Sequence, residues 1–294
     1  MNKIHFLFIV FLSINTLGQT LNKTTHDNKG NLMLLGKTSK DGFKHENFSW
    51  FQKNYDTYVT NDNVIQLLKD SIQSYHIKVF YGTWCGDSKR ELPKFYKVID
   101  KTGFNKSNME VIAVDKKPEA YKASPNGEEK GLNIHRVPTF ILYKNQKEVA
   151  RIVEYPKQDF ERDLLQIVLR KKYTPNYRVV AYLHNLLQEK TIKELEKEEN
   201  SLIATLAEFT KGSRELNTYA YKLLQSNQTE KAFYVYKLNT QMYPYKSNVF
   251  KSLGKAFHTI KDYKNALKNI QTASKLAPEN KELITLINTI KKEI

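Results

Sequence analysis

One cysteine, Cys85, stands in a chain of 294 residues, so no intramolecular disulfide can form. Long apolar runs are missing as well: past the first dozen residues no segment approaches the roughly 20 apolar residues of a spanning helix. There is no compact Lys/Arg block with interleaved aromatics, although 47 Lys and Arg against 31 Asp and Glu leave a formal net charge of +16. The cations are dispersed and often sit beside acids, as in Lys193-Glu194 and Lys197-Glu198. That pattern describes a basic solvated surface and gives no nucleic-acid footprint. The seven histidines show no metal-ligand spacing and no second thiolate exists, so no metal site is expected. A glycine-rich phosphate loop is absent too, and no nucleotide or flavin cofactor is expected. What is present, 40% hydrophobic residues with 12% aromatics, excludes extended disorder and supports one large or two modest folded domains.

The N-terminus has the order of an export signal. Lys3 and His5 precede Phe6-Leu7-Phe8-Ile9-Val10-Phe11-Leu12, and the small residues Thr16 and Gly18 follow. Residues 1–18 are expected to be removed, leaving an exported protein, periplasmic or extracellular, without a membrane span. An uncleaved anchor or a buried strand is the alternative. An exported chain works in a compartment where disulfides form. A lone thiol there is either inert through burial or kept for its chemistry.

Residues 19–60 read as a polar extension, in which Leu32-Met33-Leu34-Leu35 offers a first strand. Asn61-Asp62 caps a helix with Val64, Leu67, Leu68 and Ile72 at helical spacing. Ile77-Lys78-Val79-Phe80-Tyr81 is a strand that runs into Trp84-Cys85-Gly86-Asp87-Ser88 and then a helix to about Ile99. Residues 109–114 form another strand, residues 139–143 and 148–153 a hairpin around Asn145-Gln146, and residues 158–170 a closing helix. Alternating strands and helices define an α/β domain over residues 61–172. Beyond Pro175 only helices are expected: a connector over 173–212, with two helices, the second following the charged run 193–200, and then a repeat. Ala232 and Ala266, Pro244 and Pro278, Leu223 and Phe257, Tyr236 and Ile270, and Leu216 and Phe250 all lie 34 apart. A 34-residue period with these small, aromatic and terminal-proline positions resembles the tetratricopeptide repeat. It gives two units, 213–246 and 247–280, and a capping helix with Leu283, Leu286, Ile287 and Ile290 toward the last unit. So short an array is expected to pack on the connector helices.

Trp84-Cys85-Gly86 between a strand and a helix, Pro93 eight residues after the cysteine, and Arg136-Val137-Pro138-Thr139 opening a later strand together resemble the thioredoxin superfamily. The resemblance covers roughly residues 61–171, with an insertion near 121–130. It implies a mixed sheet flanked by helices, a redox site at Cys85, a cis-proline loop at Val137-Pro138 beside the sulfur, and partners that are protein or peptide thiols and disulfides. A cysteine at the start of a helix meets unpaired N–H groups and the positive end of the helix dipole, which favour the thiolate. Lys89 and Arg90 add to this and Asp87 opposes it.

Two departures from the family narrow the reading. Ser88 stands where the resolving cysteine would be, and a hydroxyl can donate a hydrogen bond to the thiolate but cannot break a mixed disulfide. Val79 stands where many thioredoxins bury a proton-shuttling carboxylate. Cys85 and Ser88 are the candidate reactive pair, with Trp84, Gly86, Asp87, Val137 and Pro138 around a bound peptide. Tyr81 and Trp84 read as apolar walls, Tyr81 alternatively as strand packing. His135 reads as an exposed loop residue, with a general-acid role as the alternative. Two functions remain open: single-cysteine thiol–disulfide exchange resolved by an external thiol, or a non-catalytic scaffold that binds a protein through the repeat helices.

Overall fold

The computed structural model describes residues 21–294, so the expected leader at 1–18 lies outside the described residues. Strands β1 (Thr24–His26) and β2 (Leu32–Leu34) form a two-stranded antiparallel sheet of their own. The run at Leu32 therefore does not open the main sheet. That edge is β3 (Gly36–Thr38), which pairs antiparallel with a later strand. After β3 come two short 3-10 turns and α1 (Trp50–Thr57), a helix that no clear apolar period announces. Its neighbours explain it: Phe43, Phe48 and Phe51 are buried, and Phe43 stacks on Phe51 with centroids 4.3 Å apart.

α2 (Asp62–Ile72) starts as expected, with the Asn61 side chain accepting the Val64 N–H at 3.3 Å. Its buried residues are Ile65, Leu68 and Ile72, while Leu67 faces solvent. β4 (His76–Tyr81), α3 (Gly86–Lys101) and β5 (Met109–Ala113) follow, then β6 (Thr139–Lys144), β7 (Lys147–Val153) and α4 (Phe160–Val168). The β6–β7 turn is Asn145-Gln146, both with positive φ, the conformation a tight hairpin requires.

The main sheet runs β3-β5-β4-β6-β7, with β4 parallel to β5 and every other pair antiparallel. Alternation along β4 sends Ile77, Val79 and Tyr81 into the core shared with α1 to α4, and Phe80 to the other face. On that other face Phe80, Ile112 and Ile141 pack under Leu132, Ile134 and Val137. An irregular stretch between β5 and β6 therefore covers what would otherwise be exposed sheet.

The helical half consists of α5 (Arg178–Glu189), α6 (Ile192–Lys197), α7 (Glu199–Phe209), α8 (Arg214–Gln225), α9 (Thr229–Met242), α10 (Ser247–Thr259), α11 (Tyr263–Leu276) and α12 (Lys281–Lys291). The connector holds three helices where two were expected. The charged run is itself helical, because Thr191 and Glu194 form a reciprocal capping box that starts α6 inside it. α8 packs on α9, α10 on α11, and α11 on α12. At Gly254 an added Cβ would lie 2.6 Å from Ile270 Cδ1 and 3.1 Å from the Ala266 carbonyl, so close approach of α10 and α11 requires glycine there. One core joins α5 to α10, and a second joins α10, α11 and α12. No helix among the described residues is long and apolar enough to cross a membrane.

Candidate functional site

The β4 strand ends at Tyr81 and turns through Gly82, where a Cβ would collide with Trp84 at 2.5 Å. Glycine at that position lets the indole fold back over the turn. Trp84 Nε1 then donates to the Val114 carbonyl at 2.9 Å, and the Cys85 N–H reaches the Gly82 carbonyl at 2.9 Å. Cys85 becomes the N-cap of α3, half-buried, with no side-chain capping bond. Its thiol lies 3.2 Å from the Val137 carbonyl and donates to it. The Val137–Pro138 peptide is cis.

Pro93 sits inside α3 without breaking it. A proline lacks the N–H that would bond the carbonyl four residues back. Here Asn54 Nδ2 on α1 donates to that carbonyl, Lys89 O, at 2.9 Å. The unannounced helix thus satisfies the group the proline orphans, and the thiol-bearing helix stays whole.

Ser88 departs from the expectation drawn from sequence. It is fully buried and its Oγ accepts the Gly82 N–H at 3.2 Å. The hydroxyl braces the strand-to-helix turn, and no hydrogen bond joins it to Cys85. Tyr81 is likewise no wall of a peptide site: it is fully buried, and its hydroxyl bonds Thr38 Oγ1 at 3.1 Å. Gly86 is exposed, and an added Cβ would approach only Arg90 Nη1, at 3.8 Å, so packing does not demand glycine there. Asp87 pairs with Arg90, one of the two cations expected beside the sulfur. Val79 is fully buried in the apolar core.

His135 departs from expectation as well. It is 4% exposed rather than on a solvated loop. Its ring meets Tyr177 and Tyr219 edge-on at 5.6 and 6.4 Å. Burial holds its pKa down to about 3, and the cations Lys122, Arg151 and Arg136 push the same way. Nδ1 lies 3.3 Å from the Asn133 carbonyl and Nε2 is buried without a partner. A neutral ring between the two halves is a packing group, which removes the general-acid alternative.

Several residues around the thiol carry no local sequence signal. Tyr121 packs on Trp84 at 5.5 Å, and Tyr221 of α8 packs on Tyr121 at 6.1 Å. Lys122 is buried, donates to the His135 carbonyl at 2.5 Å, and has its pKa lowered to about 7 by burial first and Arg136 second. Glu154, at the end of β7, accepts from Tyr177 and lies 3.8 Å from Arg136. Burial raises the Glu154 pKa, Tyr177 and Arg136 counteract this, and the neighbouring Asp87 reinforces it. Tyr221 also donates to the Pro118 carbonyl at 3.0 Å, and Lys222 to the Lys122 carbonyl at 3.4 Å. The stretch 115–136 therefore joins the thiol turn to the helices, a role no local motif signals because its partners lie about 100 residues downstream. No group of three or more His, Cys, Asp or Glu residues arranged for a metal occurs among the described residues.

Residues 53–166 match the thioredoxin family model. Among characterised proteins the chain resembles Thioredoxin H2 of Arabidopsis thaliana, 28% identical over 88 residues, which is 30% of this chain and 59% of the plant protein. The chain thus spans less than two thirds of that relative. With the sheet order and the helix cover above, residues 53–166 are a thioredoxin domain, followed by a helix-rich region. Such a domain supports a role in thiol–disulfide chemistry in general.

Proposed function

We propose that this is an exported protein that takes part in thiol–disulfide exchange through Cys85 alone. The observation that carries the reading is the sulfur itself: half-buried, at the first turn of α3, against the Val137 carbonyl, with Ser88 tied to Gly82. The Cys85 thiolate attacks one sulfur of a client disulfide, forming a Cys85–client disulfide and releasing the other client sulfur as a thiolate that takes up a proton. An external thiolate then attacks the mixed disulfide, returning Cys85 and leaving its own sulfur on the client. No net electrons are gained or lost by the protein in the cycle. Trp84, Gly86, Asp87, Val137 and Pro138 border the approach to the sulfur. Residues 213–294 act as two tetratricopeptide-like units with a cap: α9 and α11 span 229–242 and 263–276, offset by the same 34 residues. The helices recruit the client protein.

The test is capture of partners on non-reducing gels from an oxidising extract. Wild-type protein is expected to yield thiol-sensitive adducts that Cys85→Ala lacks. Identical adduct patterns would refute exchange and leave the scaffold reading.

A further inference from the structure

A cleft of about 290 Å³ opens where the thiol turn meets the helices. Tyr121, Lys122 and Arg136 line one side, and Tyr221 of α8 with Ser252 and Lys255 of α10 line the other. Three of these belong to the loops that frame the sulfur. Tyr121 lies on Trp84, Lys122 is hydrogen-bonded to the His135 carbonyl, and Arg136 precedes the residue whose carbonyl receives the thiol. Cys85 does not itself line the cleft, so something bound here is held against the loops that frame the sulfur.

The lining of the cleft carries charge of one sign, although Lys255 reaches the Glu282 carboxylate, outside that lining, at 2.7 Å. No Asp or Glu lines it. No carboxylate among the described residues forms an ion pair with Lys122, and Arg136 has only Glu154 at 3.8 Å, with its Nε buried and unpartnered. The buried Lys122 ammonium has only the His135 carbonyl and the Tyr121 ring, and the half-buried Arg136 guanidinium has the Tyr177 ring and a long contact to Glu154. Such sparse countercharge is costly, and an anion entering the cleft adds to it at both. The lowered Lys122 pKa is the same cost seen from the proton's side. A neutral apolar peptide relieves neither.

We infer that this cleft holds acidic side chains that flank the reactive cysteine of an extended client peptide, so that Lys122, Arg136 and Lys255 select which disulfides reach Cys85. The inference rests on the exchange reading above and names its substrate class. Full-length Cys85→Ala protein is titrated with fluorescein-labelled decapeptides whose central cysteine is blocked as a methyl disulfide. Its flanks are glutamates in one peptide and glutamines in the other. The glutamate peptide is expected to bind about tenfold more tightly, with the gap shrinking at 0.5 M NaCl and narrowing again in Lys255→Gln and Lys122→Met. Lys255 is exposed, so its variant keeps the test readable if the buried Lys122 change lowers stability. Equal binding of the two peptides overturns the inference. A separate arm offers both peptides to wild-type protein: if neither of the two labels Cys85 the exchange reading fails, whatever the outcome for the cleft.

Discussion

The core under the main sheet and the seam between the two halves use aromatic residues in opposite ways. In the thioredoxin domain Phe95, Phe140 and Phe160 are fully buried and pack ring on ring, with centroids 4.5 to 5.5 Å apart. In the helical half the aromatics near the junction are tyrosines. Tyr219 meets His184 through its hydroxyl at 3.0 Å, Tyr177 holds Glu154, and Tyr221 holds the Pro118 carbonyl. Phenylalanine fixes the frame that positions a single sulfur. Tyrosine, with an apolar body and a polar tip, closes a seam where loops and helices leave carbonyls and carboxylates to satisfy. Rigidity lies on one side of the site and polar adaptability on the other.

The sharpest way to break that contrast is chemical. Ser88→Cys puts a second thiol in the rigid frame, three residues from Cys85. Mixed disulfides that persist in wild type should then be released by an internal thiol and vanish from gels; persistence of the adducts would mean Ser88 is not what makes them last. Next in size is Phe140→Ala, which empties part of the ring cluster and should cost about 3–5 kcal/mol in denaturant unfolding.

A smaller effect belongs to the seam. His135 has a pKa lowered to about 3 in the folded protein against 6.5 unfolded. Between those values the unfolded chain holds a proton the folded chain does not, so stability falls as pH drops through that window, by up to about 1.4 kcal/mol per pH unit. His135→Phe keeps a ring against Tyr177 and Tyr219 and should flatten this part of the profile, read by thermal unfolding at pH 4 to 7. Asn54→Ala orphans the Lys89 carbonyl and should cost about 1 kcal/mol, with the loss seen first in hydrogen exchange around the first turns of α3.

Much of this was legible in the residues. Periodicity gave α2, β4, β5 and the β6–β7 hairpin, and the 34-residue spacing matches the observed offset of α9 and α11. These signals are local: an N-cap, an alternation of two, a turn that needs positive φ. α1 was not legible, since its burial comes from phenylalanines on turns before it and its Asn54 serves a proline on another helix. The environment of His135 was hidden for the same reason, because its covering rings, Tyr177 and Tyr219, lie 42 and 84 positions away.

Residue identities and element order alone place one sulfur at the start of a helix, leave this sequence no second thiol of its own to resolve its bonds, and put no carboxylate at Val79. Those are statements about which atoms exist and where along an element they fall. Packing between elements far apart in the chain turns Ser88 to Gly82 rather than the sulfur, makes Tyr81 core, and faces Lys122 and Arg136 to a cleft without a carboxylate lining. Each depends on which surfaces meet, and burial, which no short stretch of chain specifies, lowers the pKa of both His135 and Lys122 at that junction.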